Sequence, residues 1–257
     1  MKTLIIRGGF SYNDELRSIS IVIPAYNEEK RLPSTLDSVL AFVNGREWDD
    51  VEVLVVDDGS RDQTVDLITE YARRHPQVRL LRNPGNRGKG YSVRHGMLEA
   101  RGEWRLFSDA DLSAPIEELP KLFEAAQRTG YEVAIGSRAL DRSLIGTHQS
   151  KFRETAGRFF NVLVQAGTGL RLWDTQCGFK LFRGDVAEQV FRRQRIERFG
   201  FDVEVLFIAK LLGYRIVEVP VRWNHVEGTK VSMFSDSTDM FLDICRVRKN
   251  QLCGYYR

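Results

Sequence analysis

The stretch Trp104-Arg-Leu-Phe-Ser-Asp109-Ala-Asp111-Leu-Ser113-Ala-Pro115 is an apolar run that ends in two aspartates one residue apart. In extended backbone, residues i and i+2 project to the same side. Asp109 and Asp111 can therefore aim both carboxylates at one point just beyond a strand end. Paired hard oxygen ligands of this kind suit Mg²⁺ or Mn²⁺, with the remaining positions left to water and substrate phosphates. Pro115 fits the first turn of a following helix, and Glu117 and Glu118 favour its positive end. A solvated turn is the plainer reading of a lone Asp-x-Asp, so the neighbouring motifs decide.

Working outward, Ser18 to Pro24 is a short β-branched run that reads as a buried strand ending at Pro24-Ala25-Tyr26-Asn-Glu28. Leu32, Leu36, Val39, Leu40 and Val43 then recur at helical spacing. A second strand, Val51 to Val56, ends at Asp57-Asp58-Gly59-Ser60, and Ser60 with Gln63 is expected to form a capping box. A third, Val78 to Leu81, leads into Asn83-Pro-Gly85-Asn86-Arg-Gly88-Lys89-Gly90 and a helix to about Ala100. After Pro115 come a helix to about Arg128 and a strand Glu132 to Gly136. Alternating strands and helices predict an α/β fold with a doubly wound, mostly parallel sheet. Ligands of such sheets sit outside the carboxyl ends of the strands, where all four polar motifs fall.

The second half is less regular. Phe152 to about Gly167 reads as a helix with basic Lys151, Arg153 and Arg158; Gly178 to Phe182 reads as a strand; a helix runs to about Leu212. Ile216 to Val219 and Val221 to Trp223 read as strands broken by Pro220, and a C-terminal helix spans about Ser237 to Lys249. The expected organisation is a single domain over residues 18–231, split into a nucleotide-sugar half (18–138) and an acceptor half (139–231), with a helical tail over 232–257.

Bulk properties narrow the classes. The chain has 257 residues and a near-balanced charge of +3, without the basic footprint of a nucleic-acid binder. Cys177, Cys245 and Cys253 form no CxxC pair, and an odd, sparse set fits a reducing compartment. The four histidines lie far apart, without metal-ligand spacing. No signal peptide is visible, and no apolar run approaches the ~20 residues of a membrane-spanning helix. The expected location is cytoplasmic, with any membrane contact peripheral.

Asp57 at an early strand end can accept from a base or ribose. The cationic glycine loop, with Lys89 and free backbone N–H groups, suits a diphosphate. The loop is neither a Walker A motif nor a dinucleotide fingerprint, which sets a nicotinamide-dependent oxidoreductase low. An ordinary tight turn is the alternative for Gly85, Gly88 and Gly90.

The set PAYNE, DDGS, NRGKG, DADLSAP and GSR resembles family 2 of the inverting glycosyltransferases. The motifs DTQCGFK, RFGFDVE and EVPVRWNHVEGTKV resemble its dolichyl-phosphate β-glucosyltransferase subgroup, close kin of the dolichyl-phosphate mannosyltransferases. The resemblance runs from about Ser20 to Val231. It implies a Rossmann-like nucleotide-sugar (GT-A) fold and a metal-dependent transfer of glucose from UDP-glucose to dolichyl or polyprenyl phosphate, giving a β-linked product. The alternatives are a GDP-mannose-dependent mannosyltransferase and a non-catalytic sugar-nucleotide-binding module. It also implies that Pro24, Ala25, Tyr26, Glu28 and Asp57 hold the nucleotide, that Gly88 and Lys89 lie near the diphosphate, and that Asp109, Ala110 and Asp111 form the metal-bridging turn. Ser113 stands where many mannosyl relatives carry a Gln metal ligand. Lys89 and Asp111 are the catalytic candidates, with Asp174 matching a position proposed as base or positioning group; a turn or capping aspartate is its alternative.

A lipid phosphate needs cations, and Arg138, Arg153, Lys180, Arg222 and Lys230 are the candidates, against a reading as solvated surface charge. The eukaryotic relatives resembled carry an N-terminal membrane helix that is not seen here. The basic, aromatic helices near 151–167 and 237–250 could instead lie on the cytosolic face of a membrane, or bury their apolar faces in the core or in a homo-oligomer.

Overall fold

The apolar runs become strands because their β-branched residues alternate between two packed layers. The computed structural model describes residues 18–147, 161–224 and 235–257. The first half contains β1 (Ser18–Ala25), α1 (Leu32–Asn44), β2 (Asp50–Asp57), α2 (Thr64–Arg74), β3 (Val78–Arg82), α3 (Lys89–Glu99), β4 (Trp104–Ser108), α4 (Leu119–Thr129) and β5 (Val133–Ser137). Next come β6 (Ile145–Thr147), a helical segment α5 over residues 161–168, β7 (Phe179–Arg183), α6 (Gly184–Arg193), α7 (Phe201–Leu211), β8 (Ile216–Pro220), β9 (Trp223–Asn224) and α8 (Ser235–Leu252).

Seven strands form one sheet in the order β3-β2-β1-β4-β7-β5-β8. All its pairings are parallel except those of β7, which runs antiparallel to both β4 and β5. β6 and β9 form a separate parallel pair. Alternation along β1 shows the two layers. Ile19, Ile21 and Ile23 pack with residues of α1, α2 and α4 on one face. Val22, Leu54, Val56 and Phe107 pack with α3, α6 and α7 on the other. Ile244 and Val247 of α8 and Tyr256 join this second layer, so the segment expected as a tail is docked in the core. Tyr256 Oη donates to Glu204 Oε1 at 2.6 Å, satisfying a buried carboxylate.

Several local expectations are corrected. Ser60 and Gln63 form no capping box: α2 starts at Thr64, whose N–H donates to Asp62 Oδ1 at 3.0 Å, while Ser60 Oγ accepts from the Asn27 N–H at 2.9 Å. Pro115 precedes a short 3₁₀ turn, Ile116–Glu118, and Pro120 takes the first turn of α4. Glu118 is fully buried between Arg222 and Lys121 rather than exposed at a helix end. Pro220 closes β8 instead of breaking it, and the second short strand, β9, leaves the main sheet. The first part of the helix expected from Phe152 lies outside the described residues. Among the described residues, no helix is long and apolar enough to cross a membrane.

Phe107 is fully buried and meets the Phe201 ring at 5.6 Å between centroids. Phe107→Ala is expected to lower unfolding free energy by about 3–5 kcal/mol through lost transfer energy and the cavity left behind. Urea denaturation with an unchanged slope is the check.

Candidate active site

The acid turn follows β4, and its backbone is held from several sides. The Asp109 N–H donates to the Gly178 carbonyl at 3.1 Å, and Thr35 Oγ1 donates to the Ala110 carbonyl at 2.5 Å. The Ser113 N–H donates to Asp111 Oδ1 at 2.9 Å, and the Ser113 carbonyl accepts from the Asn224 N–H at 2.8 Å. Leu112 adopts a φ of 45°, a left-handed conformation that a branched side chain rarely takes, so the turn is bent against local preference. Gly178 is required by close approach. A Cβ there would lie 2.1 Å from Asp109 Oδ2, so the absent side chain leaves the carboxylate its place.

Lys89 opens α3 and reaches this turn: its Nζ lies 2.5 Å from Asp109 Oδ1. The structure thus brings the cationic loop and the acidic pair together. Burial disfavours the charged ammonium, but Asp109 and Asp202 outweigh it and hold its pKa above the usual lysine range. Among the described residues no cluster of three or more His, Cys, Asp or Glu forms a ready metal cage. Two carboxylates without a protein-made cage fit the pattern of Mg²⁺-type sites, in which water and substrate phosphates complete the shell. Ser113, the third candidate ligand, is buried.

The glycine loop differs from expectation in one respect. Its backbone N–H groups are not all free: those of Arg87 and Gly88 donate to Asp58 Oδ1 and Oδ2 at 2.9 and 2.8 Å. Asp58 also accepts from Asn83 Nδ2 at 2.8 Å, and Asn83 Oδ1 lies 2.8 Å from His95 Nδ1. Asp58 is therefore the organiser of the loop. Only its place in DDGS, next to the aspartate singled out above, could have pointed to it. Asp57 is buried, and its two oxygens accept from the Gly59 and Ser60 N–H groups at 3.2 and 3.1 Å. Pro24 and Ala25 end β1, Tyr26 is half-buried just beyond it, and Glu28 pairs with Arg31 at 2.7 Å.

The acceptor-side cations separate. Arg138, at the end of β5, grips Asp174 through Nε and Nη2 at 2.7 and 2.8 Å, and its backbone N–H adds a third bond at 3.0 Å. Its guanidinium also lies 5.4 Å from the centroid of the Trp223 ring. Burial alone would raise the Asp174 pKa, but the Arg138 charge and hydrogen bonds bring it down to about 2. Arg222 is half-exposed and donates from Nε to Glu118 Oε1 at 2.5 Å. Lys180 is corrected: it is fully buried, with Nζ 2.5 Å from Asp202 Oδ1 and 2.6 Å from the Cys177 carbonyl, and no exposed phosphate can reach it. Burial raises the Asp202 pKa despite that contact, and pushes the neighbouring Cys177 thiol up to about 12, so it stays a neutral thiol. Arg153 and Lys230 lie outside the described residues.

Comparison with known proteins gives the same direction. The family model described as Glycosyl transferase family 2 matches residues 20–191. A dolichyl-phosphate beta-glucosyltransferase of Drosophila melanogaster is 41% identical over 251 residues, 93% of this chain and 77% of that protein. Those of Dictyostelium discoideum and Homo sapiens are 36% and 35% identical, covering 93% and 96% of this chain and 76% and 79% of theirs. The fold resembles glucosyl-3-phosphoglycerate synthase from Mycobacterium tuberculosis, solved with Mn²⁺, UDP and glucosyl-3-phosphoglycerate. Their TM-score is 0.63 at 18% identity, over 98% of this chain and 87% of that one. Mannosyl-3-phosphoglycerate synthase from Rubrobacter xylanophilus matches with a TM-score of 0.67 at 15% identity, over 93% and 75% of the two chains.

Two predictions follow from the ion pairs. Lys180→Met strands a buried carboxylate and is expected to cost about 3–5 kcal/mol of stability, with Lys180→Met/Asp202→Leu recovering part of it in chemical denaturation. Asp174 has a depressed folded-state pKa, so its stabilising contribution is complete above its unfolded-state pKa. That contribution is lost as pH falls from near 4 toward about 2. Asp174→Asn is expected to flatten the acid limb of a stability-versus-pH curve in that window.

Proposed function

The chain belongs to glycosyl transferase family 2, and we propose that it transfers glucose from UDP-glucose to a dolichyl or polyprenyl phosphate with inversion, giving a β-linked lipid-phosphate sugar. The observation that carries this reading is the contact between Lys89 and Asp109, which joins a cationic loop to a paired-acid turn at the carboxyl edge of the sheet. Relatives of the same named activity align over nearly the whole chain.

In this reading Asp109 and Asp111 hold Mg²⁺ or Mn²⁺, the ions named with UDP in distant structures of this fold. When bound, the ion neutralises charge developing on the departing nucleoside diphosphate. Lys89 adds a fixed positive charge at the same place, already oriented before reaction. Pro24, Tyr26 and Glu28 stand at the nucleotide end, with the buried Ala25 and Asp57 behind them, Asp57 bracing the Gly59–Ser60 turn. The acceptor phosphate oxygen attacks C1 of glucose from the face opposite the diphosphate; the new C1–O bond forms as the old one breaks. A phosphate monoester, with a second pKa near ~6, is already mostly dianionic at neutral pH and needs no strong base. The low pKa of Asp174 supports a positioning role: it aligns Arg138, whose remaining guanidinium N–H groups are available to the acceptor phosphate. The exposed Trp173 and Leu140, adjacent to Asp174 and close in sequence to Arg138, support a peripheral approach to the cytosolic face of a membrane where such a lipid resides.

The test is incubation with UDP-glucose, Mg²⁺ and a short polyprenyl phosphate, with the product analysed by mass and anomeric NMR. A β-glucosyl lipid phosphate is expected. Transfer from GDP-mannose alone, or binding of UDP-glucose without turnover, overturns the reading in favour of a mannosyltransferase or a binding module. Asp109→Ala is expected to reduce turnover by at least about 100-fold.

A further inference from the structure

In the proposed reaction Lys89 and the ion held by the acid turn meet the diphosphate, but the glycine loop itself commits part of its donors elsewhere. A diphosphate beside it needs donors, yet the N–H groups of Arg87 and Gly88 are spent on Asp58. The Tyr91 N–H is spent on the Glu197 carbonyl at 3.0 Å. The cations nearby are also engaged. Lys89 is paired with Asp109, and Arg87 with Glu197, its guanidinium lying 4.4 Å from the Tyr91 ring centroid.

The segment that supplies Glu197 comes from the second half of the chain, between α6 and α7, and lies directly on the loop. Gln194 Nε2 donates to the Gly90 carbonyl at 2.8 Å. Gly88 has a φ of 110°, and a Cβ on it would lie 2.6 Å from the Glu197 carbonyl oxygen and 3.2 Å from Arg198 Cγ. The backbone of residue 198 is equally close to the neighbouring turn, since a Cβ on Gly90 would lie 2.9 Å from the Arg198 carbonyl oxygen. The stem of Arg198 therefore rests against the loop. The residue is exposed, and among the described residues no acid pairs with its guanidinium. It differs in this from Lys89, Arg87, Arg138, Lys180 and Arg222, each of which has a carboxylate.

We propose that Arg198 is a substrate phosphate-binding residue of this site, its unpaired guanidinium taking a phosphate group at the mouth of the glycine loop. A planar fork of N–H donors matches two phosphate oxygens at once, and a cation with no acid to release binds an anion without breaking an existing pair. The inference deepens the transferase reading and rests on it for the identity of the phosphate, which belongs either to the donor's diphosphate or to the lipid acceptor.

Calorimetric titration with UDP and with UMP, in Mg²⁺, compares wild type, Arg198→Gln and Arg198→Lys; steady-state kinetics with polyprenyl phosphate forms the second arm. If the donor diphosphate is the ligand, Arg198→Gln weakens UDP binding about ten-fold or more, leaves UMP binding nearly unchanged, and Arg198→Lys recovers part of the loss. If the acceptor is the ligand, UDP binding is unaltered and KM for the lipid phosphate rises by a similar factor. Arg195→Gln, an exposed arginine on the same segment whose guanidinium lies over Tyr255, is the control for general charge and is expected to change neither. Wild-type UDP affinity together with wild-type KM in Arg198→Gln overturns the proposal. The transferase reading fails separately: a chain that binds UDP through Arg198 but transfers no glucose refutes that reading alone. A wild-type chain that binds no UDP refutes both.

Discussion

Lys89 Nζ and Asp109 Oδ1 meet at 2.5 Å because two successive crossovers of the sheet end on the same side. α3 starts where the loop after β3 turns back, and the acid turn starts where β4 ends. Parallel strands deliver every carboxyl end to one edge, so groups distant in the chain converge without a dedicated scaffold. The charges then hold one another. Lys89 keeps its proton because Asp109 and Asp202 outweigh the burial that would strip it. Asp202 lies against Lys180 beneath the site, so one acid supports both a surface-reaching lysine and a sealed one.

Much of the first half was legible because its signals are local. Ile19, Ile21 and Ile23 alternate with residues of the opposite face, and each strand ends in a polar motif, so the sheet and its functional edge follow from periodicity. What escaped depends on partners far away in the chain. The direction of β7 is set by its pairing with β4 and β5, which its own residues Phe179–Arg183 do not encode. α6, Gly184–Arg193, follows β7 without an intervening loop, so its start is marked only by Gly184 and by Asp185 in its first turn, which read equally well as a turn after the strand.

The site shows the same division. Asp109 and Asp111 were legible because i, i+2 spacing has a direct geometric meaning. Lys180 was not, because a lysine inside a strand reads as polar whether it faces solvent or a buried aspartate, and only the fold supplies Asp202. Asp58 and Asp57 stand side by side in one motif and look alike in sequence; their neighbours, the loop N–H groups for one and its own turn for the other, separate their roles. Arg198 lies in a motif used for the resemblance, but its closeness to Gly88 exists only once α7 is docked.

The antiparallel strand β7 has a consequence for synthesis on the ribosome. β4 and β5 are not neighbours; β7 lies between them and supplies both with hydrogen bonds. A nascent chain that has emerged only as far as Ser137 holds the nucleotide-side motifs but leaves facing rows of peptide groups on β4 and β5 without their native partners. Closure of the sheet must await Phe179–Arg183, which brings Gly178 against Asp109 in the same event. The metal-binding carboxylate of the proposed mechanism therefore reaches its final setting only after most of the polypeptide has left the exit tunnel.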